Sequence, residues 1–344
     1  MSKKKVLCIG GSLNQTSMVH AVGSQLADDY EVWYTPFYPD VGIQTFLHRR
    51  GLLDFCVMGG QFLAQTERYL KEHDLPVDYG GRRHDYDLVI TTSDLVVQRN
   101  IRHKPIVLIQ EGMTDPENLM YHLVKLFGLP RYLASTSTNG LSDAYQVFCV
   151  ASEGYRDLFI RKGARPEKIV VTGIPNFDNA AQFCNNRFPY RHFVLVATSD
   201  TRETFKFDNR RRFIRRALEI ADGRPLIFKL HPNENFHRSY REIRSLAPRA
   251  LVLAEGNTGE MIANCDVLIT QYSSVAFIGL ALGKEVYSYF DIEMLKRLLP
   301  IQNGGTSHRH IATVCRRLLE LGPEQARQAA GWAPPAYQGA QAAG

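Results

Sequence analysis

The sequence predicts an α/β protein built from two doubly wound domains. Three observations carry that class. Short runs rich in Val, Ile and Leu alternate with longer helix-like stretches along most of the chain. The runs are apolar at consecutive positions rather than at every second one, the pattern of parallel strands covered by helices on both faces. There are about eleven such runs, more than one comfortable sheet holds, and 344 residues suffice for two domains of ordinary size.

In chain order the strand-like runs of the first half are "KVLCIG" (5–10), "YEVWYT" (30–35), "DLVITTS" (87–93), "PIVLIQ" (105–110), "YQVFCVAS" (145–152) and "KIVVTG" (168–173). Those of the second half are "HFVLVAT" (192–198), "PLIFKL" (225–230), "ALVLAE" (250–255), "DVLITQ" (265–270) and "EVYSYF" (285–290). Between them, helices are expected over 16–27, 57–73, 116–127, 152–163, 206–222, 236–246, 257–264, 273–283 and 307–321. The stretch "ASEGYRDLFIRKG" carries start and stop signals: Ser152 as a cap, basic residues late, then Gly163. The polar, aromatic segment 180–192 marks the seam, giving domains 1–185 and 186–330. The Ala-, Gly- and Pro-biased residues 331–344 read as a flexible tail.

Composition narrows the function classes. The chain is 44% hydrophobic and 22% charged, with net charge +6. That balance suits anionic ligands or peripheral association with a membrane face, and it lacks the concentrated basic face of a nucleic-acid binder. The six cysteines are scattered with no C-x-x-C pair, and Cys8 and Cys149 sit inside apolar runs. This is the usage of a reducing compartment without disulfides. The apolar run after "MSKKK" is about five residues, too short for a secretory signal, and no stretch reaches the roughly 20 residues of a membrane span. A cytoplasmic protein is expected.

In open α/β sheets ligands bind outside the carboxyl ends of the strands, so the residues following each run are the candidates. "GGSLNQTS" (10–17) opens a helix, and the Gly11 backbone is placed to approach an anion or sugar, with Thr16 or Ser17 as the alternative helix cap. "TTSD" (91–94) ends on Asp94, either a base or a loop cap, and "QEGMTD" (110–115) supplies Glu111. In the second half, "KLHPNENF" stops a buried strand on three residues that each spoil it. Lys229 and His231 lie on one face, two residues apart, and Pro232 removes an N–H. They make sense together if the strand ends at an anion. "TQYSSV" follows another strand, and Ser273 and Ser274 open a helix with hydroxyls and unpaired amides.

These residues resemble a known family. "KLHP", followed about forty residues later by "DVLITQYSSVAFIGLALGKEV", is similar to the carboxyl-terminal half of GT-B glycosyltransferases, whose two Rossmann-like domains face each other across a cleft. The likeness is to bacterial capsule sialyl- and Kdo-transferases and to CDP-glycerol glycerophosphotransferases of teichoic acid synthesis. It implies that Lys229, His231, Pro232, Ser273 and Ser274 hold the donor's phosphate. "VLIQEGMTD" resembles the motif that supplies the catalytic base in the sialyltransferases, implying Glu111, with Asp94 in reserve. "KIVVTGIPNFD" looks like the end of a GT-B amino-terminal domain. More distantly, the same segments resemble UDP-N-acetylglucosamine 2-epimerase. However, Asp200 and "SSVAFIGL" replace that enzyme's histidine and paired glutamates. The resemblance covers most of residues 85–290.

The implied activity is inverting glycosyl transfer without a metal or a resident cofactor. The donor is a nucleotide sugar, CMP- or CDP-linked with UDP as an option, and the implied sugar is a CMP-activated acid such as Kdo or sialic acid. The acceptor is a hydroxyl of a surface glycan or lipid-linked glycan. An epimerase-like isomerase or hydrolase and a glycerophosphotransferase are the alternatives. "DYD" (85–87) precedes its strand and so falls at the wrong end of the sheet for metal chemistry. "HRH" (308–310) lacks a third ligand. "RRRFIRR" (210–216) reads as a basic helix face.

Overall fold

The computed structural model describes residues 3–39, 50, 57, 59–199, 202 and 208–328. The chain divides into two compact units, Met1–Asp178 together with Gly305–Gly344, and Asn179–Gly304. Among the described residues all eleven expected runs form strands, and every pairing is parallel.

The first unit holds β1 (Lys5–Ile9), β2 (Glu31–Thr35), β3 (Leu88–Thr91), β4 (Ile106–Ile109), β5 (Val147–Val150) and β6 (Ile169–Val171) in the order β2-β1-β3-β4-β5-β6. Strand order reverses between β1 and β3, so their carboxyl ends form the crevice where such sheets take ligands. All four residues of β3, β4 and β5 are buried, which is what their unbroken apolar runs require. Helices α1 (Leu13–Ser24), α2 (Gly60–Glu72), α3 (Leu119–Phe127) and α4 (Glu153–Lys162) belong to this unit. Ser152 caps α4 by accepting from the Tyr155 amide, and Gly163 ends it at φ 110°, as the sequence predicts. Cys8 and Cys149 are fully buried among apolar neighbours, and burial pushes the Cys149 thiol up to about 12. Both are inert packing groups.

The boundaries differ from expectation. The first unit closes after Asp178 rather than at 185, and the final helix α10 (Ser307–Gln328) returns to it instead of completing the second. Packing decides this: α10 lies on α1 and β3 and buries Ile311, Val314, Cys315 and Leu318. Arg316 reaches Asp29 at 3.3 Å, and the Asp178 carboxylate accepts from the Ser307 amide at 2.8 Å. The tail expected over 331–344 lies outside the described residues.

The second unit holds β7 (Val194–Ala197), β8 (Leu226–Lys229), β9 (Leu251–Leu253), β10 (Val267–Thr270) and β11 (Glu285–Tyr287) in the order β11-β10-β7-β8-β9. Its reversal lies between β7 and β10. Around the sheet run α5 (Arg210–Ala221), α6 (Phe236–Leu246), α7 (Thr258–Asn264), α8 (Val275–Ala281) and α9 (Ile292–Leu298). The last of these was not anticipated, although Asp291 caps it through the Met294 amide. The core joins Val194, Val196 and Phe228 of the sheet to Phe213, Ile214 and Ile243 of the helices. Among the described residues no helix is long and apolar enough to cross a membrane.

Candidate active site

In the first unit, the loop after β1 and Glu111, the second residue after β4, meet over the end of β3. β1 and β4 are not neighbours in the sheet, so this contact spans about 10 Å of strand spacing. Helix α1 begins with a capping box: the Ser12 hydroxyl accepts from the Gln15 amide at 3.3 Å, and Gln15 Oε1 accepts from the Ser12 amide at 3.0 Å. Both side chains have donors left, and both give them to Glu111. Gln15 Nε2 donates to Glu111 Oε2 at 2.7 Å, and Ser12 Oγ donates to Oε1 at 3.3 Å. The cap is therefore also the clamp of the carboxylate.

Glu111 is half-buried, and no cation is paired with it among the described residues. Burial raises its pKa, and the hydrogen bonds from Gln15 and Ser12 pull the other way. The result is a carboxylate of increased basicity at the strand-order reversal, in a fixed orientation.

Two neighbouring candidates serve different purposes. A side chain on Gly11 would place its Cβ 1.7 Å from Gln15 Oε1, so the glycine leaves room for the clamp. Its amide is already donated to Thr16 Oγ1 at 3.3 Å, and its carbonyl accepts from Thr66 Oγ1 at 2.6 Å. Both backbone groups of Gly11 thus have partners within the unit, and Ser12 rather than Thr16 or Ser17 is the cap. Asp94 is 2% exposed. It accepts from Arg131 Nη1 at 3.0 Å and from the amides of Gly140 and Ser142, each at 2.8 Å. Those three donors tie the loop after β3 to the 140–142 segment and to Arg131.

In the second unit, the ends of β7, β8 and β10 are adjacent. His231 follows β8. Its backbone amide donates to Thr198 Oγ1 and to Glu234 Oε2, at 3.2 and 3.1 Å. Its Nδ1 accepts from the Asn233 amide at 3.2 Å, so in the neutral ring the proton sits on Nε2, which is a donor. Lys229 is buried; its ammonium donates to the carbonyls of Leu230 and Ala254, both at 2.8 Å. Burial lowers its pKa, while Glu234 and Glu255 oppose that. It braces the ends of β8 and β9, where a phosphate contact was expected. Pro232 is exposed beyond the strand end.

Ser273 and Ser274 lie after β10, half-exposed. Ser273 Oγ accepts weakly from the Val275 amide at 3.4 Å, and Ser274 makes no capping bond. α8 has only seven residues, so the hydroxyls and amides, more than a macrodipole, are the donors at this position.

Sequence reasoning missed the buried charge network beneath these loops. Glu234 pairs with Arg210, and its carboxylate also accepts from Thr198 Oγ1 and from Ser239 Oγ at 3.4 Å. Arg210 pairs with Asp208 at 3.1 Å, and Asp208 accepts from Gln271 Nε2 at 2.8 Å. Ser199 Oγ donates to Gln271 Oε1 at 2.8 Å, closing the link between β7 and β10. Arg210 Nη1 has no hydrogen-bond partner among the described residues. In "RRRFIRR" only Arg210 departs from the expected exposed face, since Arg211, Arg212, Arg215 and Arg216 are exposed. Asp200, which bears on the epimerase comparison, lies outside the described residues.

No protein-family model and no curated protein matches the chain. Solved structures do. A Listeria monocytogenes protein assigned as a UDP-N-acetylglucosamine 2-epimerase aligns with TM-score 0.57 and 12% identity over 94% of this chain and 98% of that one. The Neisseria meningitidis UDP-GlcNAc 2-epimerase, solved bound to UDP-GlcNAc, aligns with TM-score 0.53 and 12% identity over 91% and 100%. The Methanocaldococcus jannaschii enzyme, in complex with UDP-GlcNAc and UDP, gives 0.51 and 13% over 91% and 99%. At such identities the likeness is one of fold. The chain has the α/β, two-domain Rossmann-like architecture of the GT-B class.

Proposed function

We propose that the chain is a nucleotide-sugar-dependent glycosyltransferase in which Glu111 is the general base. The observation that carries the reading is the clamp on Glu111: a half-buried carboxylate, raised in pKa and oriented by Gln15 and Ser12, at the ligand-binding edge of a doubly wound sheet. An acceptor hydroxyl placed against it loses its proton as it attacks the anomeric carbon, and the nucleotide phosphate departs with inversion. Positioning supplies much of the acceleration. The leaving phosphate is held in the second unit by His231 Nε2–H and by the hydroxyls and amides of Ser273 and Ser274. Lys229 acts through the backbone it braces, and Asp94 through the loop it ties. The donor is a CMP- or CDP-linked sugar, a CMP-activated acidic sugar first among them.

Thermal stabilisation by CMP, CDP, UDP, GDP and their sugar conjugates tests this. A ligand at 100 times its dissociation constant adds about 2.7 kcal/mol. Stabilisation by cytidine nucleotides, weakened about ten- to a hundredfold in affinity by His231→Ala, supports the reading. Stabilisation by UDP or UDP-N-acetylglucosamine alone replaces it with epimerase or hydrolase chemistry.

A further inference from the structure

Away from the Glu111 edge, the first unit carries an open cavity of about 920 Å³ between α3, the 129–132 turn, the 95–97 loop and the end of α4. Its walls are apolar at Val96, Val97, Val124 and Leu129, and the buried Tyr121 ring lies among them. Its charged lining residues are Arg102, Lys125, Arg131 and Lys162, and no carboxylate lines it. Asp94, which offsets Arg131, lies behind the wall.

The two lysines flank the Tyr121 ring, with Nζ of Lys162 and Lys125 at 5.1 and 5.9 Å from its centroid. Each ammonium has three N–H groups. Lys125 donates one to the Lys162 carbonyl at 3.0 Å, and Lys162 donates one to the Ser137 carbonyl. Burial lowers the pKa of Lys162, with Lys125 and Arg161 adding to that while Glu117 and Asp115 oppose it, so a bound anion would offset the net cost of holding its charge.

The surface beside the cavity is also out of the ordinary. Tyr132, which lines it, is 46% exposed, and on α3, next to the lining residues Val124 and Lys125, Leu126 is 76% and Phe127 66% exposed. A soluble surface rarely presents large apolar side chains in such a cluster without an interaction to serve. Apolar rim, apolar wall and excess positive charge together describe an amphiphile with a negative head.

We infer that this cavity docks an anionic phospholipid of a membrane surface, its acyl chain against the apolar wall and its phosphate between Lys125 and Lys162. The lipid source is favoured over a free anion by the exposed rim, and over a second copy of the chain by the absence of lining carboxylates to meet the cations. The inference is independent of the transfer reading, because no residue assigned to donor or acceptor chemistry lines the cavity.

The test is flotation of the full chain with vesicles of mixed phosphatidylglycerol and phosphatidylcholine, against phosphatidylcholine alone. Binding is expected to the mixed vesicles, reduced about tenfold by Lys125→Glu and lost in Leu126→Asp/Phe127→Asp. These three positions are exposed, so the variants fold. Tryptophan placed by Tyr132→Trp should be quenched by brominated acyl chains, which surface adsorption alone would not produce. The inference is overturned by equal binding to both vesicle types, by no binding, or by no quenching. It is equally overturned if inorganic phosphate stabilises the chain without vesicle binding, or if the Asp variants merely dissolve a concentration-dependent dimer.

Discussion

Two carboxylates, Glu111 and Glu234, follow parallel strands at the carboxyl edges of their respective sheets, yet they are built for opposite ends. Glu234 is compensated by a buried guanidinium and by hydroxyls from two elements. Glu111 receives two neutral donors and no cation. The first arrangement fixes a loop that presents His231. The second leaves a carboxylate with its basicity raised. Burial alone does not make a residue reactive; withholding its counter-charge does. Asp94, which follows β3 and is paired with Arg131, falls with Glu234.

The comparison breaks most sharply on Glu111→Gln. Turnover should fall roughly a hundred- to ten-thousandfold, with nucleotide-induced stabilisation retained. Because the folded-state pKa is raised, the ionised carboxylate costs stability above that pKa, and the cost vanishes below the ordinary glutamate range. The Gln variant should therefore melt at or above the wild-type temperature at neutral pH, with the difference closing on acidification. A lower neutral-pH melting temperature would place Glu111 with Glu234. Glu234→Ala should do the reverse: it takes one of two carboxylate partners from the buried Arg210, which keeps Asp208, and the lost charge-assisted hydrogen bonds should cost about 1.5–3 kcal/mol in denaturant unfolding. The smallest effect sharpens the contrast. Gln15→Ala removes a donor to the ionised form of Glu111, so the acid limb of kcat/KM should move to higher pH, with little change in the alkaline plateau. An unmoved limb would show that Gln15 does not tune the base.

Much of the frame was legible because periodicity and turn chemistry are local. All eleven strands could be read from apolar runs, and Ser152 and Gly163 from capping rules. The motifs at strand ends were legible because the ligand edge of such sheets is a topological property. The partners of those motifs were not. Gln15 clamps Glu111 across 96 positions of chain, and Arg210 meets Glu234 across 24. A capping-box signal, S-x-x-Q after a glycine pair, was present in "GGSLNQ" but spoke only of a helix start. The carbonyl partners of Lys229 are hidden from the sequence for a related reason. A lysine ending a buried strand suggests an anion, yet two carbonyls beyond the ladder satisfy it equally well. The final helix was assigned to the wrong unit because nothing local distinguishes a helix that continues a domain from one that returns to an earlier one.

That return of α10 has a consequence for synthesis. As the chain leaves the ribosome, the first six strands emerge before the second unit, but the cover for α1 and β3 is encoded after it. Domains ordinarily fold in the order they are made. In this chain the second unit is contiguous and complete before the first can close. The nascent polypeptide therefore carries an uncovered apolar face, awaiting Ile311, Val314 and Leu318, until the whole second unit has been made.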